Sequence, residues 1–191
     1  IPVDEAKRLN LPYIPQIIIF GEESYKDDSE IDSETFIQKF KASKVLPKTA
    51  APYPVLYNPI FEELSKTKEP ILVLCPPPTV SGTLRSAEQA RSEFPDAEIH
   101  ILDTTLIGAG LGTVVKKALE WAKQGDDVDS IISKVKTMAA KNRTYFLLDT
   151  LEYLHRGGRI WAAKALVGGM LQMKPLLTFR NSQVEPLESQ R

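Results

Sequence analysis

Three short stretches of the chain carry residue types at spacings that could do chemistry. The first is Val80-Ser81-Gly82-Thr83, set between a strand-like run and a helix-like run. A helix start offers unpaired N–H groups and the positive end of the helix dipole. The hydroxyls of Ser81 and Thr83 add donors, and Gly82 lets backbone approach closely. Such a turn suits an anion, either a phosphate or a carboxylate. The plainer alternative is that Ser81 or Thr83 caps the helix, a common task for these residues. The second stretch is Pro47-Lys48-Thr49-Ala50-Ala51-Pro52, one hydroxyl in a proline-bracketed segment that also reads as a simple turn. The third is Asp149–Ile160, DTLEYLHRGGRI, in which Arg156 and Arg159 flank a Gly-Gly pair. Two guanidinium groups can meet a phosphate or a partner protein. Basic residues at a helix C-terminus are equally explained by the dipole alone.

Other chemistries find less support. His100 and His155 lie in different elements, and neither has metal-site spacing to a cysteine or carboxylate pair. His100 begins a strand and is read as structural. Ser81 has no evident His–Asp arrangement and no GxSxG elbow around it. Gly108-Ala109-Gly110-Leu111-Gly112 resembles a dinucleotide fingerprint, but its third glycine comes one residue early, so it reads as a close-packed helix start. There is no Walker A sequence. Cys75 is the single cysteine, so no internal disulfide forms, and its apolar run makes it a small buried hydrophobe.

These stretches need elements to hold them. Ile14–Phe20 reads as a strand ending at a Gly21 turn, and Tyr25–Ile31 as an acidic, polar loop. Ser33 is a suitable cap for a helix to about Ser43 that places Phe36, Ile37 and Phe40 on one face. Val45–Tyr57, with three prolines, reads as a structured loop. Asn58-Pro59 predicts a helix start, with Asn as the cap. Ile71–Cys75 is a short apolar strand, followed by three prolines and then a helix with Leu84, Ala87 and Ala90 at helical spacing. Glu98–Leu102 is the next strand; Gly108–Lys123 and Val128–Lys141 are helical; Thr144–Leu148 is a strand. Asp149 with Glu152 resembles a capping box, and Gly157 supplies the stop. Ile160–Leu171 reads as helical, and Leu176–Phe179 with Gln183–Leu187 as a hairpin around Arg180-Asn181-Ser182. Alternation of strands and helices from Ile71 to Leu148 predicts an α/β fold: a parallel sheet with flanking helices and sites at the carboxyl ends of its strands. The terminal hairpin predicts the start of a second, mixed α/β domain that is only partly present. The expected division is residues 1–147 and 148–191.

Bulk properties narrow the function. The 191 residues are 42% hydrophobic and 26% charged, and 24 basic against 25 acidic side chains leave a net charge of −1. That balance lacks the basic excess of a nucleic-acid footprint. No apolar run approaches the roughly 20 residues that span a bilayer, and no signal peptide is visible, so the expected location is cytoplasmic. The chain begins at Ile1 and stops just after a strand-like segment, and is expected to be part of a longer protein.

Taken in order and spacing, the segments resemble the DegV family of bacterial fatty-acid-binding proteins, the acyl-carrying subunits of the fatty acid kinase system. Ile14–Gly21 with Tyr25–Asp28 is similar to that family's early strand and acidic turn. Thr49–Pro52 stands where the family has Thr-Ser-Gln-Pro. Ser81-Gly82-Thr83 with Ser86-Ala87 is similar to its SGT…SA helix start, and Asp103-Thr104 to the strand end that follows. Leu151–Ile160 resembles its Leu-x-Tyr-Leu-x-x-Gly-Gly-Arg-Ile signature, while Lys174-Pro175-Leu176 and Val184–Leu187 match what comes after. The resemblance implies a non-enzymatic lipid carrier with no cofactor. Its ligand would be a long-chain fatty acid in a buried apolar pocket, presented to a partner kinase subunit for acyl phosphate formation. It implies that Thr49, Ser81, Gly82 and Thr83 hold the carboxylate and that Arg156 and Arg159 face the phosphate or the kinase. Implied partners are the fatty acid and the kinase, with transient membrane or acyltransferase contact and no nucleic acid. Two alternatives are carried beside it: an enzyme or binding protein for a phosphorylated small molecule that uses the Ser81–Thr83 helix start, and a regulatory interaction module that works through the Arg156–Arg159 surface.

Two departures accompany the resemblance. Ala50 and Ala51 stand where the family has serine and glutamine. The family's opening strand with its Asp-Ser-Thr turn has no counterpart before Ile1, and most of its C-terminal domain, including a histidine near the head group, has none after Arg191. The physics suits a carrier: about fourteen buried methylenes at about 0.8 kcal/mol each give roughly 11 kcal/mol before ordering costs. The tail then supplies most of the affinity, and neutral hydroxyls need only orient the head. A buried cation would hold the anion harder and hinder its handover.

Overall fold

The computed structural model describes residues 1–27, 29–160, 163 and 175–187. Asp28, Lys174 and all but Ile160 and Ala163 of the helix expected over Ile160–Leu171 lie outside them. The chain forms two compact units, Ile1–Leu102 and Asp103–Arg191.

The first unit opens with α1 (Val3–Arg8), followed by β1 (Ile17–Phe20), β2 (Glu23–Lys26), α2 (Ser33–Ala42) and β3 (Lys48–Ala50). The three strands make an antiparallel sheet in the order β2-β1-β3. β1 starts later than the apolar pattern suggests, because Pro15 has no N–H to give a ladder. The second half of β2, Tyr25-Lys26, falls in the segment that reads as loop in the sequence. The polar residues of β2 pair across a two-residue turn at Gly21-Glu22, with Phe20 opposite Glu23 and Gly21 at φ +60. Pairing overrides propensity on an exposed edge. β3, inside the expected proline-rich loop, pairs Thr49 with Ile18. The cap of α2 is Asp32, whose Oδ1 accepts from the Thr35 N–H at 2.7 Å, rather than Ser33. Phe36 packs between Phe20 and Phe40, whereas Ile37 on that face is exposed.

A 3₁₀ turn (Pro54–Leu56) leads to α3 (Asn58–Ser65), β4 (Ile71–Cys75), α4 (Thr83–Arg91) and β5 (Ile99–Asp103). Tyr57, not Asn58, is the α3 cap residue, and the Asn58 amide donates to Glu93 at 2.8 Å. β4 and β5 are sheet neighbours connected through α4, the βαβ unit of a parallel sheet. The Ile71 N–H donates to the Glu98 carbonyl, joining the two strand beginnings. Their core is Tyr57, Phe61, Ile71, Cys75, Ala87, Ala90 and Ile99. Phe61 meets Phe94 edge-on, at 5.6 Å between ring centroids. Cys75 is fully buried, as its apolar run predicts.

The second unit contains α5 (Gly108–Lys123), α6 (Val128–Lys141), β6 (Thr144–Leu147), α7 (Glu152–Arg156), β7 (Leu176–Arg180) and β8 (Gln183–Pro186). α5 buries Val114 and Ala118, and α6 buries Ile131 and Val135. Gly110 packs closely, as expected: a Cβ there would lie 3.1 Å from the Asn142 side chain. The three strands pair antiparallel in the order β6-β7-β8. The β7–β8 turn places Asn181 and Ser182 at φ +52 and +58, which is type I′ hairpin geometry.

Candidate functional site

Ser81, Gly82 and Thr83 lie beyond the carboxyl end of β4. The proline run carries the chain out of the sheet. The N–H groups of Val80 and Ser81 then both turn back to the Pro77 carbonyl, at 3.1 and 3.2 Å. α4 begins at Thr83 with Gly82 as its cap residue and no side-chain cap bond.

The two hydroxyls form a linked pair. Ser81 Oγ and Thr83 Oγ1 are 2.7 Å apart, and the Thr83 N–H donates to Ser81 Oγ at 3.3 Å. Gln16 Nε2 donates to Thr83 Oγ1 at 2.8 Å. The pair has two protons, and only one is needed between its oxygens. Whichever hydroxyl donates inward, the proton of the other remains to be donated elsewhere. Both side chains are half-buried, so the spare O–H belongs to an ordered pair rather than to a loose surface rotor.

The segment expected to share the site is beside it. A Cβ on Gly82 would lie 3.3 Å from the Ala51 Cβ. Gly82 has an ordinary backbone conformation, φ −76, so close approach rather than backbone freedom accounts for glycine here. Thr49 is two residues earlier, in β3, and is exposed. The register that pairs Ile17 with Ala50 brings Gln16 opposite Ala51, one step past the ladder. The end of the β1–β3 ladder thus offers Gln16 to Thr83 and Ala51 to Gly82.

Tyr57 supports the corner from within the core. It is 1% exposed, and its hydroxyl donates to the Thr83 carbonyl at 3.3 Å. Burial, with a smaller contribution from Cys75, pushes its pKa far above the ordinary tyrosine range, so it remains a neutral donor at any physiological pH. Neither Gln16 nor Tyr57 stands out in the sequence. Gln16 acts across 67 residues, and no local spacing announces such a contact.

The arginine turn lies in the second unit. α7 ends in a Schellman arrangement: the Gly158 N–H donates to the His155 carbonyl and the Arg159 N–H to the Leu154 carbonyl, at 3.0 and 2.9 Å. The left-handed residue is Gly158, φ +73; Gly157, expected to be the stop, is still right-handed. At the other end the cap residue is Leu151, with no side-chain cap bond, rather than the expected Asp149, and the Glu152 N–H donates to Thr150 Oγ1 at 3.1 Å. Arg156 is half-exposed and pairs with Glu152 at 2.9 Å, and Arg159 Nη1 donates to the Gly157 carbonyl at 2.5 Å.

Four further features bear on function. His100 Nε2 lies 2.8 Å from Glu98 Oε1. Among the described residues, no cluster of three or more His, Cys, Asp or Glu could hold a metal ion, and no helix is long and apolar enough to cross a membrane. A cleft of about 240 Å³ is lined by Ile17, Ser24, Tyr25, Lys26, Glu30, Tyr53 and Leu56. It does not include Thr49, Ser81 or Thr83.

A family model described as uncharacterised protein of the DegV family matches residues 1–191. A DegV domain-containing protein of Halalkalibacterium halodurans is 33% identical over 187 residues, 97% of this chain and 66% of its own length. The solved structure of a fatty-acid-binding DegV family protein from Thermus thermophilus is similar at a TM-score of 0.89 and 30% identity, covering 98% of this chain and 66% of that one. That of DegV, a fatty acid binding protein from Bacillus subtilis, is similar at 0.88 and 31% identity, covering 100% and 68%. The chain therefore spans about two thirds of the length of the relatives it matches.

Proposed function

The chain belongs to the DegV family, and from that premise we propose that it binds a long-chain fatty acid, holds the carboxylate with hydroxyl side chains, and presents it to a partner kinase that forms the acyl phosphate. The observation that carries the carboxylate reading is the Ser81–Thr83 pair: two hydroxyls 2.7 Å apart with one proton to spare at the start of a helix. Such a donor takes an anion without leaving a buried cation when the site is empty. The Gly82–Ala51 approach supports Thr49 as a further head-group ligand, since it brings that segment to the same turn. The solved relatives from Thermus thermophilus and Bacillus subtilis are described as fatty-acid-binding.

In this reading the protein is a carrier, and phosphoryl transfer is the work of the kinase. No cofactor takes part. Arg156 and Arg159 form the surface that meets the phosphate or the kinase, by exchanging their present intramolecular partners. Handover to an acyltransferase brings transient contact with the membrane surface, and the location is cytoplasmic. The domain division is proposed at 147/148.

Mass spectrometry of lipid extracted from the purified full-length protein tests the proposal. A saturated or unsaturated long-chain acid at near-stoichiometric amount is expected. A protein that comes away empty, and then takes up neither palmitate nor oleate, sinks it. Uptake of a sugar phosphate or nucleotide in place of lipid favours the phosphorylated-ligand alternative.

A further inference from the structure

Resting on the carboxylate reading above, we propose that Gln16 is a positioning residue of the head-group corner: its side-chain amide fixes the Ser81–Thr83 pair in the state that has a proton to give. Three bonds carry the inference. The amide donates to Thr83 Oγ1 at 2.8 Å, the Thr83 N–H donates to Ser81 Oγ at 3.3 Å, and the two oxygens share one proton at 2.7 Å. Each oxygen thus receives a donor from outside the pair, and neither hydroxyl has to spend its proton on an outside acceptor. One O–H is left for a ligand.

An acceptor at position 16 reverses this. Thr83 would then donate to it, Ser81 would donate to Thr83, and no proton would remain for an anion. A side chain without polar atoms gives an intermediate case, in which the pair keeps its protons but loses the constraint on Thr83. The position of Gln16 is fixed independently of the pair. Its carbonyl accepts from the Asp27 N–H at 2.9 Å, and the β1–β3 register puts it opposite Ala51, which has no polar side chain of its own. The amide is therefore delivered by the strand ladder and does not depend on the ligand to place it.

The test compares a fatty acid with the fatty alcohol of the same length, palmitate against hexadecanol, in the full-length protein. The alcohol shares the tail but carries no charge, so it reports the apolar pocket and the fold. Gln16→Leu is expected to weaken palmitate about 3- to 10-fold, the size of one lost hydrogen bond, and to leave hexadecanol within twofold. Gln16→Glu keeps the side-chain size and is expected to weaken palmitate further, again sparing the alcohol. Equal losses of acid and alcohol in both variants would show that Gln16 only supports the fold, and would overturn the inference. So would unchanged palmitate affinity in both. If the unsubstituted protein binds neither ligand, the fatty-acid reading itself fails and the inference falls with it. Wild-type binding with indifferent variants removes the inference alone.

Discussion

The start of α4 and the end of α7 are both helix termini with polar side chains spaced to meet an anion, yet they solve their hydrogen bonding in opposite ways. At α4 the side chains satisfy each other and still leave a donor over: Gln16, Thr83 and Ser81 form a chain with one hydroxyl proton unspent. At α7 the donors turn inward. The backbone closes its own carbonyls through Gly158 and Arg159, Arg156 pairs with Glu152, and the Arg159 side chain bonds the Gly157 carbonyl. The first arrangement leaves a donor available, whereas the second would have to exchange a partner to meet an anion. That exchange costs little, because an exposed ion pair is worth only about 0–1 kcal/mol. Under the proposed function, the contrast would divide the labour of a carrier between a neutral corner that orients a head group and a charged surface that engages and releases.

The largest effect that could break this division is expected at α4. Replacing both hydroxyls, Ser81→Ala with Thr83→Val, should weaken palmitate about 10- to 100-fold, the range for hydrogen bonds to a charged group. Hexadecanol affinity should change much less, as isothermal titration can show. Next comes α7: Arg156→Glu with Arg159→Glu should lower acyl phosphate formation with the partner kinase about tenfold, the loss of one good interface anchor. Fatty acid should still copurify with that variant. If the arginine variant loses its lipid, or the hydroxyl variant fails only in the kinase assay, the two regions do not divide the work as described.

How much of this was legible in the sequence follows from how local each feature is. α5 and α6 match their expected limits, Gly108–Lys123 and Val128–Lys141, because helical periodicity is written within the helix. The β7–β8 hairpin was equally plain from Asn181 and Ser182. β2 was not, since its polar residues become a strand only through β1. The caps slipped by one residue at Asp32 and Gly158, because neighbouring residues of suitable type compete and geometry decides among them, and at Tyr57 because the chain enters α3 already turning from the 3₁₀ segment, with no side-chain cap. At the site, Ser81 and Thr83 were visible as a motif, but their bond to each other and to Gln16 was not. That bond depends on a ladder end and a turn meeting across the first unit.

A smaller effect tests what holds the corner from behind. Tyr57→Phe removes the donor to the Thr83 carbonyl and should cost about 1 kcal/mol of stability, read from denaturant midpoints. It also changes the alkaline limb. Burial raises the folded-state pKa of Tyr57, so the unfolded chain loses that proton first. The contribution is complete below the ordinary tyrosine value near 10 and is lost as pH climbs above it. The wild-type protein should therefore lose stability more steeply above pH 10 than the phenylalanine variant. Parallel limbs would mean that Tyr57 ionises as readily in the folded protein as in the unfolded chain.

The finest distinction concerns two glycines, one at each helix end. Gly82 has an ordinary φ, but a Cβ there would meet Ala51 at 3.3 Å. Gly158 has φ +73, and a Cβ there would meet nothing within 4 Å. Alanine at either place should cost about 1 kcal/mol, through crowding at the first and backbone strain at the second. Larger side chains separate the causes, because asparagine tolerates the left-handed region better than alanine, whereas valine, unlike asparagine, has no cap bond to gain at Gly82. Gly158→Asn should recover part of the stability lost in Gly158→Ala, while Gly82→Val should be worse than Gly82→Ala. Ligand affinity should follow stability only at position 82, where the displaced neighbour is the Ala51 segment beside the proposed head-group corner. If Gly158→Asn is no better than Gly158→Ala, the turn at Gly158 is held by its neighbours rather than by its own backbone conformation.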